Sequence, residues 1–154
     1  MSGRAFPSWE QQRLGDCESL QYVQSMEVER SGMMWLPDNG RQRRARDTAG
    51  CPAKLLLLDL NTRQIVHSYN FPERIVPKRG SFLNDIALNV AEEGNKFAYI
   101  SDSDRGELVV YSLAQDRSWL VSHSSMRADL AGATFNFLNP PARLRQAPCN
   151  SVTG

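Results

Sequence analysis

The stretch GSFLNDIAL places Asn84 and Asp85 at the mouth of an apolar run. An adjacent amide and carboxylate can ligate a cation, hold an ammonium group or accept a proton. The same pair also closes an Asx turn at the start of a strand, which is its commoner use. A calcium ion takes about six to eight oxygens, so the pair by itself falls well short of such a site. Two further carboxylates, Asp38 and Asp102, occupy matching places in MMWLPDNG and FAYISDSDRG. A position that recurs in each repeat more readily serves repeat architecture, by bonding turn amides, than a unique reaction. His123 follows SWLVS and is a residue type suited to general-base work. No Ser or Cys nucleophile pairs with it by spacing, so it reads as a loop histidine. His67 alternates within a strand-like run and reads as a half-buried structural residue.

Cys17, Cys51 and Cys149 make an odd count without CxxC spacing. Neither they nor His67 and His123 are spaced like a zinc set. One disulfide with a free thiol suits an exported chain, and partly buried thiols suit a cytosolic one; composition leaves both open.

Short strands, with almost no helix, must position these residues. Met26 and Val28 alternate with Glu27 and Glu29, and Arg30-Ser31-Gly32 turns into Met33-Met34-Trp35-Leu36. The apolar run from Lys54 to Leu58 is closed by Asp59-Leu60-Asn61-Thr62 and followed by the run from Ile65 to Tyr69. Ile86-Ala87-Leu88 leads through Glu92-Glu93-Gly94-Asn95 to the run from Phe97 to Ile100. Glu107 to Tyr111, a turn at Gln115-Asp116-Arg117, and Ser118 to Val121 complete the series. The window LLLLDL is short and bounded by turn residues, which favours strand over helix.

Side by side, the halves match. MMWLPDNG aligns with FAYISDSDRG, and KLLLLDLNTRQIVHS with ELVVYSLAQDRSWLVS. Each unit is an up-and-down set of four strands, and tandem units of roughly 50 residues are the signature of a β-propeller. Trp35, Phe97, Tyr99 and Trp119 fall in the strand pattern and read as core between blades, although aromatics at a channel mouth also suit an aromatic amine. The fold class expected is therefore all-β, a partial propeller of four-stranded antiparallel blades. A ring needs about 4–8 blades. The chain holds fewer, and reads as a fragment or truncated isoform whose exposed blade edges invite self-association. Beyond Phe137 the pattern stops, so a propeller region over 1–137 and a disordered tail over 138–154 are expected.

The totals exclude several classes. A chain of 154 residues suits one compact domain, and no window approaches the ~18 apolar residues of a membrane span. A net charge of +1 nominates no nucleic-acid partner, and RQRRAR, Arg41 to Arg46, reads as a solvated loop. No cofactor or metal is expected. MSGRAFPSWEQQ lacks the apolar core of a signal peptide, so the chain reads as cytosolic or as one whose beginning lies elsewhere.

Six segments, in order, carry a resemblance: WEQQRLGDCESLQYVQSMEVE, MWLPDNGR, CPAKLLLLDLNTRQIVHSYNFP, SFLNDIAL, FAYISDSDRGELVVYS and SWLVSHSSM. Over approximately Pro7 to Asn136 the sequence resembles the Yellow and major royal jelly protein family. The resemblance implies a six-bladed propeller and a full-length parent that is secreted. It implies a central channel that binds a small aromatic amine, with Phe82, Asn84, Asp85 and Asp102 as channel candidates. Alternatives within the family are a dopachrome-converting isomerase of melanin chemistry, with His123 or Asp85 as base, and a non-catalytic structural or storage protein. SFLNDI also looks like the Asn-Asp loops of calcium-dependent lactonase propellers. A Cys17–Cys51 disulfide fits a secreted relative and leaves Cys149 unpaired. Pro37 departs from the aliphatic residue usual in the family, which suggests an edge or strand-end position. A channel site drawn from every blade would be incomplete in this sequence alone.

Overall fold

The computed structural model describes residues 4–41, 50–90, 95–127, 134–135 and 142–143. Most of the basic loop at 41–46, the turn at 92–94, Cys149 and nearly all of 138–154 lie outside the described residues. Strands β1 (Glu27–Val28), β2 (Met33–Asp38), β3 (Lys54–Asp59) and β4 (Gln64–Asn70) make one antiparallel sheet in chain order. Strands β5 (Leu83–Asn89), β6 (Phe97–Asp102), β7 (Glu107–Ser112) and β8 (Arg117–Val121) make a second with the same order. A separate pair, β9 (Thr134–Phe135) and β10 (Ala142–Arg143), follows.

Period-two alternation sorts the first sheet's side chains onto two faces. Trp35, Leu55 and Leu57 point toward the second sheet, whereas Leu36, Leu56 and Leu58 point away. The second sheet answers with Ile86, Ala98, Ile100, Val109 and Tyr111. Trp35 meets Tyr111 edge-on at 6.3 Å, and the Tyr69 ring lies 4.8 Å from Tyr111. The two sheets thus stack face to face as successive blades, each supplying half of a shared core. They do not close a ring.

Tight turns mark the matching corners. Arg63 and Asp116 both take positive φ, 58° and 45°, in the hairpins before β4 and β8. Pro37 is next to last in β2, a strand between β1 and β3 rather than a sheet edge. The β1 register covers only Trp35 and Met34, so Pro37 sits where the inner neighbour is no longer paired regularly. Of the aromatics expected between the sheets, Trp35 is there. Tyr99 and Trp119 lie on the face of the second sheet that points away, opposite Val110 on β7.

Candidate functional site at the inner-strand entry

Asp38 and Asp102 do the same work in the two sheets. Asp38 accepts hydrogen bonds from the backbone N–H of Gln21 (2.8 Å), Tyr22 (2.9 Å) and Gly40 (2.9 Å). Asp102 accepts from the Phe82 N–H (2.9 Å) and from the Ser81 hydroxyl. Each buried carboxylate ties the end of the second strand to the segment that leads into the innermost one. Charge-assisted bonds of this kind are stronger than neutral ones, which fits their use at the points where a blade begins.

The residue after each aspartate continues the pattern. Asn39 N–H donates to Tyr22 O, and Ser103 N–H donates to Phe82 O. Asn39 then crosses to the other sheet: its Oδ1 accepts from Leu83 N–H at 2.7 Å and its Nδ2 donates to Leu83 O at 2.8 Å. The entry of β5 is therefore fixed by one side chain from each sheet.

Immediately beyond this clamp the strand bulges. Leu83 faces Asp102 and Asp85 faces Ser101, which leaves Asn84 as the extra residue. Asn84 and Asp85 are exposed as a result. Asp85 Oδ1 caps its own strand by accepting from Ile86 N–H at 2.9 Å, and Asp85 N–H donates to Ser101 Oγ. Beside them, Tyr22 and Phe82 take equivalent places in the segments that lead into the two inner strands, with ring centroids 6.0 Å apart. Of the four channel candidates, Asn84 and Asp85 face solvent, while Phe82 and Asp102 are buried in the support beneath them.

Three polar links absent from the sequence reading join the sheets elsewhere. At the opposite end of the inner strands, Glu29 accepts from Trp35 Nε1 (2.7 Å), Ser31 Oγ (2.9 Å) and Lys96 Nζ (2.6 Å). Burial alone would raise its pKa, but the bonds from Lys96, Trp35 and Ser31 outweigh it and hold the carboxyl below its ordinary value. Away from the inner strands, the Tyr111 hydroxyl donates to Asp116 Oδ1 at 2.8 Å, and His67 Nε2 lies 2.9 Å from that hydroxyl. Burial, and then Asp116, push the ionisation of Tyr111 upward, so it remains a neutral donor. Tyr69 Oη and Ser118 Oγ meet at 3.0 Å nearby. His123, in contrast, folds back on its own turn, 2.8 Å from Ser125 Oγ, and approaches none of these groups.

Cys17 and Cys51 form a disulfide. Beside it, the buried Lys54 ammonium donates to the carbonyls of Cys17 and Ser19, and burial lowers its pKa against the pull of Asp38, Glu18 and Asp16. Among the described residues, no three His, Cys, Asp or Glu side chains gather as a metal set, and no helix is long and apolar enough to cross a membrane.

Two stacked four-stranded antiparallel sheets, each started by a recurrent aspartate, define a segment of a β-propeller. The family model described as Major royal jelly protein matches residues 21–141, and the chain belongs to that family. It is similar to a dopaminechrome tautomerase of Drosophila melanogaster, 30% identical over 138 residues, covering 86% of this chain and 30% of that protein. Protein yellow of Drosophila yakuba is 28% identical over 141 residues, covering 86% of this chain and 26% of the relative. Major royal jelly protein 8 of Apis mellifera is 24% identical over 136 residues, covering 84% and 32%. The chain thus spans between about a quarter and a third of the length of these relatives.

Proposed function

We propose that these two blades supply one sector of a channel site that binds a small aromatic amine in a secreted protein. The observation that carries the reading is the exposed Asn84–Asp85 bulge, held in place by Asn39 and Asp102 and flanked by the Tyr22–Phe82 ring pair. A carboxylate complements an ammonium group, an amide offers a hydrogen-bonding partner, and the half-buried Tyr22 ring, backed by Phe82, offers a surface to an aromatic ligand. The disulfide suits an oxidising compartment and therefore supports secretion.

The similarity to a dopaminechrome tautomerase favours a second reading, in which the same sector serves an isomerase. Such an isomerisation moves a proton within the substrate, and Asp85 is the exposed carboxylate available to carry it. The two readings separate by turnover.

Amide spectra of the isotope-labelled chain, titrated with dopamine, test binding. Saturable shifts centred on Asn84, Asp85 and Ala87, lost in Asp85→Asn with the thermal midpoint unchanged, are expected. Shifts scattered over the surface, or unaltered by Asp85→Asn, would overturn the site. Loss of dopaminechrome absorbance above the uncatalysed rate, abolished by the same substitution, would select the isomerase.

A further inference from the structure

Asn39-Gly40 is the one Asn-Gly step in the sequence. In this pair the backbone nitrogen reaches the asparagine side-chain carbon with least hindrance, because glycine carries no Cβ. The structure makes both residues hard to replace. Gly40 takes a φ of 67°, and a Cβ there would run into the carbonyl oxygens of Cys51 and Pro52. Gly50 packs equally closely, since a Cβ on it would meet the Gly40 carbonyl. The clamp on β5 in turn needs an amide at Asn39. Its Oδ1 accepts from Leu83 N–H at 2.7 Å, and its Nδ2 donates to Leu83 O at 2.8 Å and to Tyr22 O at 3.4 Å. In the second sheet Asp102-Ser103-Asp104 stands where the first has Asp38-Asn39-Gly40, so the labile step occurs at one entry only.

The contacts that require this pair also hold it inert. Asn39 is 5% exposed and both ends of its amide are engaged, so the side chain is not free to turn onto Gly40. The Gly40 N–H is donated to Asp38 Oδ1 at 2.9 Å. Cyclisation needs that nitrogen to give up its proton, and a carboxylate beside it opposes the negative charge that results.

We propose that Asn39-Gly40 is a self-modification site, silent in the folded chain, that turns an opening of the first sheet's entry into permanent loss of the β5 clamp. On opening, the Gly40 nitrogen attacks Asn39 Cγ and the Cγ–Nδ2 bond breaks. Nδ2 leaves as ammonia, taking up the proton that the Gly40 nitrogen loses. Solvent water then opens the five-membered imide at either carbonyl, giving aspartate or isoaspartate with no change of oxidation state. Aspartate sets an oxygen against the Leu83 and Tyr22 carbonyls, where an amide donor stood. Isoaspartate also lengthens the backbone by a methylene, which displaces Gly40 from a gap that only glycine fits. With either product the entry of β5, and the bulge at Asn84 that follows it, is no longer fixed from the first sheet. This inference stands independently of the ligand reading, because its readouts are mass and amide exchange.

The full chain, its disulfide intact, is incubated at mildly alkaline pH in native buffer and in urea, and peptide mass mapping follows conversion at Asn39. Conversion should be at least about tenfold faster in urea, because in native buffer the reaction is confined to opened molecules. Asn39→Gln closes a less favourable six-membered ring and should leave the position unconverted in urea, where folding has no bearing. Converted chain returned to native buffer should lose hydrogen-exchange protection at the Leu83 amide, while Ile100 and Val109 in the second sheet keep theirs. Equal rates in the two conditions would overturn the proposal, as would a step that fails to convert in urea. A converted chain with full protection at Leu83 would overturn it equally.

Discussion

The Asn39 side chain holds both backbone groups of Leu83, 44 residues away, accepting its N–H at 2.7 Å and donating to its carbonyl at 2.8 Å. The clamp sets where β5 begins and so where the bulge at Asn84 falls. Asn39→Ala leaves two buried backbone groups unsatisfied and is expected to cost about 1–3 kcal/mol. Asn39→Asp keeps the acceptor but sets a carboxylate oxygen against the Leu83 carbonyl, so it should be no better tolerated than alanine. Urea unfolding of the two variants checks this; an Asp variant as stable as the native chain would show that the donor half is idle.

The Cys17–Cys51 disulfide links residues 34 positions apart and pins the approach to the first sheet beside Lys54. Closing a loop of that length restricts the unfolded chain by about 3–4 kcal/mol. Paired Cys17→Ser and Cys51→Ser substitutions should lower the denaturant midpoint accordingly. A reductant should shift the native chain to the same midpoint and leave the double variant where it is.

Glu29 predicts a pH dependence. Its folded-state pKa lies below the ordinary value of 4.5, so its stabilising contribution is complete above that value and is lost as pH falls through the lower, folded one. Glu29→Gln removes the charge that faces Lys96 and should cost about 2 kcal/mol near neutrality. Thermal midpoints taken from about pH 6 down to pH 3 should show the difference between native and variant chains shrinking. A gap that stays constant over this range would mean that charge at Glu29 contributes nothing.

Much of the fold was legible because β-strand period and turn residues are local signals. The matched halves, the run LLLLDL as strand and the recurrent Asp38 and Asp102 all follow from patterns a few residues long. The candidate site was legible only in part. SFLNDI marks a polar pair before a strand, but the bulge at Asn84 depends on the register with Asp102 and Ser101, which one strand alone does not contain. The links made by Asn39, Glu29 and Tyr111 were not legible, since their partners lie 44, 67 and 44 residues away. One signal was available for Asn39: it aligns with Ser103, and the exchange of serine for a two-ended amide marks a contact one blade makes and the other does not. Phe97, Tyr99 and Trp119 show the converse, because alternation places a residue on a face without saying which neighbour covers it.

Tyr111, on β7, joins β4 of the first sheet to the turn before β8 through a three-centre contact. Its hydroxyl donates to Asp116, and His67 reaches both groups from the other sheet, at 2.9 and 3.1 Å. Burial keeps the phenol protonated, so it acts as a fixed donor and its loss should be felt as a lost hydrogen bond rather than a changed charge. Tyr111→Phe preserves the ring that packs on Trp35 and Tyr69 and should cost about 1 kcal/mol. His67→Phe removes the other side of the same contact. If the hydroxyl couples the sheets, the double variant should be less destabilised than the sum of the singles, by roughly 0.5–1.5 kcal/mol. Strict additivity in denaturant unfolding would place the whole value of the hydroxyl in its bond to Asp116, within the second sheet, and leave the stacking to the apolar core.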